Sequence, residues 1–136
     1  MRTLIAAVLF LILSAQGCNT GYEIYKKTDG VTFGYKWAEA RNEAGERVPA
    51  ILLMVRNENE HAIDYKLSVD FYYEGLLRET GELDYCVPAK RTRKGKLNGV
   101  YLISDKFTSD QIKSSDFKVE LNDIEVAKIE SCNRED

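Results

Sequence analysis

The single histidine of the chain, His61, sits in the stretch NENEHAID, with Glu58, Glu60 and Asp64 around it. An imidazole and nearby carboxylates are side chains that can hold a divalent cation. The spacing fits neither arrangement that does so from one segment. A calcium loop needs oxygens at regular offsets over about twelve residues, and a helical zinc site needs a second histidine at HExxH spacing. A multi-histidine zinc site is excluded, because His61 is alone. Glu58, Glu60, His61 and Asp64 are kept as metal candidates against the plainer reading, a polar turn between strands. No cofactor is expected.

Catalysis finds no constellation. A serine–histidine–acid triad would have to use His61, and Ser68 lies in KLSVD, without the glycines of a nucleophile elbow. Asp64 and Asp70 project from the same side of one predicted strand. At strand rise they lie about 20 Å apart, against the roughly 5–9.5 Å used in glycoside hydrolysis. The chain is therefore read as a non-enzyme.

The densest charge is Lys90, Arg91, Arg93, Lys94 and Lys96, five basic residues in seven. Pro88 precedes them and Gly95 sits among them, so the segment reads as a loop or a tight crossing between strands. Clustered cations attract phosphates or an anionic membrane. The alternative is a solvated loop whose charges keep a sheet edge from pairing. Nucleic acid is not expected as a partner. No recognition helix is visible, and removing residues 1–17 leaves 18 basic against 22 acidic side chains.

The cysteines are Cys18, Cys86 and Cys132, an odd count that asks for an explanation. No CxxC pair exists for redox work, and the wide spacing is not that of a zinc knuckle. The beginning of the chain supplies the explanation. Arg2 is its only charge before Cys18, Leu4–Leu13 is wholly apolar, and Ser14-Ala15-Gln16-Gly17 is small and polar. That is the layout of a secretory signal, and the apolar run is shorter than the roughly 20 residues of a spanning helix. Ala15-Gln16-Gly17-Cys18 resembles a bacterial lipoprotein processing site. The resemblance implies that Cys18 becomes the mature N-terminus and carries lipid. Plain secretion with cleavage at the same bond is the alternative. Lipidation would consume Cys18 and leave Cys86 and Cys132 to pair in an oxidising compartment, with two free buried thiols as the competing state. The expected organisation is a signal segment over 1–17, an anchored linker over 18–21 and one domain over 22–136.

The elements of that domain read as strands. Ile63, Tyr65, Leu67, Val69, Phe71 and Tyr73 are apolar or aromatic at every second position, the period of a strand with one buried face. Glu74-Gly75 reads as a turn and Leu76–Tyr85 as the return strand, with Gly81 marking a bulge or a close backbone approach. Val31, Phe33, Tyr35 and Trp37 alternate likewise, and so do Leu97, Gly99, Tyr101 and Ile103. The run Ile51–Val55 predicts a central strand buried on both faces. Tyr22–Lys26 predicts a first edge strand. Phe117–Leu121 predicts a strand, Asn122-Asp123 a hairpin turn, and Ile124–Ser131 its return. The one helical candidate is Thr108–Lys113, with Thr108 or Ser109 as cap. Tyr72, Tyr85 and Tyr101 are the aromatics whose exposure would signal a contact surface.

Seven or eight short strands predict an all-β antiparallel sandwich with one short helical turn, or a small β-barrel. Val55-Arg56-Asn57, followed by the long strand ending Phe71-Tyr72-Tyr73-Glu74-Gly75, resembles the core of FxLYD-type immunoglobulin-like modules of bacterial envelope proteins. The resemblance implies an immunoglobulin-like sandwich with a non-catalytic binding or scaffolding role. The functional expectation is a cell-envelope lipoprotein, membrane-held through Cys18 and facing the periplasm or exterior, that binds a protein partner. The alternative is a module that binds a lipid, glycan or other anionic ligand through the basic loop.

Overall fold

A computed structural model describes residues 21–96 and 100–133. Residues 1–17, Cys18, and Leu97 and Gly99 of one predicted strand lie outside the described residues.

The core grows from two adjacent strands. β3 (Arg47–Asn57) carries the apolar run, and Ala50 through Val55 are all buried, as a strand covered on both faces requires. β4 (Ala62–Tyr73) carries the alternating run, with Ile63, Tyr65, Leu67, Val69 and Phe71 all buried. The polar loop between them sends the two strands into different sheets.

In the larger sheet β1 (Glu23–Thr28) pairs with β2 (Val31–Arg41), and β2 pairs with β3 along its whole length. The far edge of β3 is shared by two short strands, β6 (Thr92–Lys94) and β7 (Tyr101–Ile103). In the second sheet β4 lies between β5 (Leu76–Val87) and β8 (Phe117–Ile129). All the pairings are antiparallel. The chain changes sheet between β3 and β4, between β5 and β6, and between β7 and β8. This is the Greek-key connectivity of an immunoglobulin-like sandwich, and the two sheets do not close into a barrel.

Aromatic rings fill the space between the sheets. Phe33 meets Tyr65 edge-on at 5.7 Å, and Trp37 meets Phe117 edge-on at 5.6 Å. Phe107 packs edge-on against Phe117 at 4.9 Å, just ahead of α1 (Ser109–Lys113). That helix is a single short turn with a capping box. The Thr108 hydroxyl accepts from the Gln111 N–H, and the Gln111 side chain accepts from the Thr108 N–H.

Two turns have left-handed residues in sequence, Asp29-Gly30 and Glu74-Gly75, with φ of 50°, 71°, 52° and 76°. They close the β1–β2 and β4–β5 hairpins. Gly81 answers to a close approach. A Cβ there would lie 2.6 Å from Leu102 Cδ1 on the facing sheet, while the bulge in this pairing falls beside Arg78.

One expectation is corrected. Asn122-Asp123 is not a hairpin turn, and β8 runs unbroken from Phe117 to Ile129. Ser68 pairs with Asn122 and Lys66 with Glu125, so Asp123 and Ile124 together face Leu67 as a bulge. Asp123 has φ 50°, the left-handed conformation that a tight turn also uses. The residue types were those of a turn, but Ile124 and Val126 continue to pack against the core from the same strand.

Candidate functional site

The five cations of the basic segment are directed to different surroundings. Lys90 has a left-handed backbone, and its Nζ lies 2.7 Å from the Glu60 carboxylate and donates to the Glu58 carbonyl. The Arg91 carbonyl accepts from the Asn57 N–H, and its side chain is exposed. Arg93 pairs with Val55, which turns it to the inner side of the sheet at its edge, half-buried. Lys96 reaches back to donate to the Glu39 carbonyl. Lys94 pairs with Met54 and faces outward. Strand pleating separates residues adjacent in sequence.

The same pleating gathers cations that are far apart in sequence. Phe33, Tyr35, Leu53 and Val55 point into the core, so their neighbours point out. On that outer face Lys27 pairs with Thr32, Lys36 with Leu52, Arg56 with Thr32 and with Thr92, and Lys94 with Met54. Four cations thus share the outer face of the larger sheet, and among the described residues its strands put no acid there. Lys27, Arg56 and Lys94 are exposed, and Lys36 is half-buried. Beneath them Ala50, Leu52 and Met54 form a small, buried apolar layer.

Tyr22 lies across this face. Lys36 Nζ sits 4.5 Å over its ring, and its hydroxyl reaches Gly95, where a Cβ would meet it at 3.4 Å. Burial pushes the Tyr22 phenol above its usual range. Gly21 is on the same face, since a Cβ there would lie 4.0 Å from Lys36 Cδ. The chain therefore enters the fold on the basic side.

The opposite outer face has the other sign. Asp64, Asp70, Glu82, Asp84, Glu120 and Glu125 project from the second sheet, against Lys66 and Lys118. Asp123 joins them through the Ser68 hydroxyl, which donates to its carboxylate at 3.3 Å. Asp70 accepts from Thr80 at 2.7 Å and from Asn122 at 2.8 Å. Glu120 and Lys118 form an ion pair on the exposed edge, which lowers the carboxyl and raises the ammonium from their ordinary ranges. Stacked sheets are about 10 Å apart before their outer side chains are added. That exceeds the roughly 8 Å Debye length at physiological salt, so each face acts on its own surroundings.

The metal candidates are placed separately. Glu60 pairs with Lys90, the His61 carbonyl accepts from Asn57 Nδ2, and Asp64 lies on β4. Among the described residues no three His, Cys, Asp or Glu side chains converge on a cation position. Tyr72, Tyr85 and Tyr101 are half-buried. Among the described residues the large apolar side chains that stand exposed are Ile24 and Tyr25 on edge strand β1, and Leu76 and Leu77 beside the Glu74-Gly75 turn. Among the described residues no helix is long and apolar enough to cross a membrane.

Cys86 and Cys132 form a disulfide, with Cα atoms 5.7 Å apart. It ties the segment after β8 to the end of β5.

No protein-family model matches the chain, and no curated protein or solved structure matches it.

Proposed function

We propose that this chain is a non-catalytic cell-envelope lipoprotein whose sandwich binds or scaffolds a protein partner. The observation that carries the proposal is the pairing of Cys86 with Cys132. Of the three cysteines it leaves Cys18 alone, at the end of an apolar leader. A stable disulfide fits an oxidising compartment, and the leader fits export to one. Two acyl chains on Cys18 would hold the domain firmly at a membrane. Leu76 and Leu77, about half-exposed at a hairpin tip, offer an apolar contact for a partner.

The test is intact-mass and peptide mass spectrometry on protein isolated from solubilised envelopes, with partners captured in the same pull-down. The expected product begins at Cys18, carries added lipid mass and has no free thiol. A product that retains Met1 would overturn the envelope reading.

A further inference from the structure

We infer that the outer face of the larger sheet, carrying Lys27, Lys36, Arg56 and Lys94, lies against an anionic lipid surface, leaving the acidic face of the second sheet turned away from it. The inference deepens the envelope reading and rests on it for the nearness of a membrane.

Charge complementarity names the occupant. The pairing registers put four cations and no acid on one face among the described residues, and six acids with two cations on the other. A negatively charged bilayer attracts the first face and repels the second. Each Lys or Arg brought near such a surface is worth about fivefold in binding. Long basic side chains also suit the task, since an apolar stem can lie along a surface while its charged head meets the headgroups.

The chain path gives an independent reason. Gly21 and Tyr22 lie beside Lys36 on the basic face. Cys18 precedes Gly21 by three residues, a reach of about 10 Å when fully extended. An anchor on so short a tether holds near the membrane the side on which the chain enters. Tether and field then select the same orientation, and the acidic face becomes the side open to a partner.

The experiment is an amine-labelling footprint of the full mature protein, purified from envelopes and placed on vesicles. One set is rich in phosphatidylglycerol and the other is pure phosphatidylcholine. On the anionic vesicles, labelling of Lys27, Lys36 and Lys94 is expected to fall severalfold, while Lys66 and Lys118 on the opposite face keep their rates. The protection should vanish at about 1 M salt, where the Debye length is about 3 Å. A double variant, Lys27→Glu with Arg56→Glu, alters exposed side chains. It should lose the protection at Lys36 and Lys94 with its melting temperature unchanged. Equal labelling of both faces, protection of the acidic face, or the same protection on neutral vesicles would overturn the inference. Acylation of Cys18 is read from the intact mass of the same sample, so a missing anchor and a missing face contact give different results.

Discussion

Asn57 is the buried polar side chain that ties the turn after β3 to the end of β5. It is 1 % exposed, and its amide donates to the carbonyls of His61, Val87 and Pro88 while its oxygen accepts from the Asn59 N–H. Asn57→Ala strands several of these groups out of water, and buried unpaired groups cost about 1–3 kcal/mol each. Chemical denaturation should show a loss of at least about 2 kcal/mol. Tyr65 presents the opposite case. Its ring is buried, and its hydroxyl has no hydrogen-bond partner among the described residues. Tyr65→Phe should therefore leave stability unchanged or raise it by up to about 1 kcal/mol. Burial pushes the Tyr65 phenol well above its usual range, with the neighbouring Tyr85 and Asp84 adding to the shift. The folded state therefore holds a proton that the unfolded chain releases near pH 10. Stability from this group is complete below that pH and declines above it, so the wild-type alkaline melting curve should fall more steeply than that of Tyr65→Phe. Little of this was legible from residue types. Asn57 was visible as part of a strand-ending motif, but its partners come from a loop and a strand end about 30 residues on.

Among the elements, the hairpin strands were the legible part. Period-two alternation in β4 and the apolar run of β3 depend only on local sequence, and both strands formed as their pattern required. The Asn122-Asp123 bulge has the residue types of a turn, because turns and bulges ask for the same left-handed residues. What separates them is whether the following residues fold back or continue along β4, and that is a tertiary fact. The Asp29-Gly30 turn is legible in the sequence, since Asp-Gly between strands is a strong hairpin signal. Gly34 in β2 has a specific duty, because a Cβ there would sit 2.8 Å from the Glu23 carbonyl oxygen. Gly34→Val should lift β1 from the sheet at about 1–3 kcal/mol and open the hairpin to limited proteolysis. The disulfide encloses a sequence separation of 46 residues. Replacing Cys86 and Cys132 with Ala should lower stability by up to about 4 kcal/mol on the chain-entropy account, read as a lower denaturant midpoint.

At the scale of the whole molecule, charge is sorted by face, and the total conceals it. The chain carries 19 basic and 22 acidic residues, close to balance, yet its two outer surfaces have opposite signs. The parity of each strand held half of that information, because alternate positions of β2 and β4 were already assigned inward. The other half needed the registers that bring Lys27, Arg56 and Lys94 onto one surface. A partner that meets the hairpin tip should be lost from envelope pull-downs on changing Leu76 and Leu77 to Ser, with no fall in melting temperature, since both are exposed. The position of β8 bears on how the molecule is made. β4 needs a neighbour on each side, and one of them is the last strand described, Phe117–Ile129. While the chain is still emerging, one edge of β4 stays bare and Trp37 lacks the ring of Phe117. Assembly of the second sheet therefore waits on β8. A chain stalled before Phe117 has most of the described strands but leaves the second sheet without one of its three.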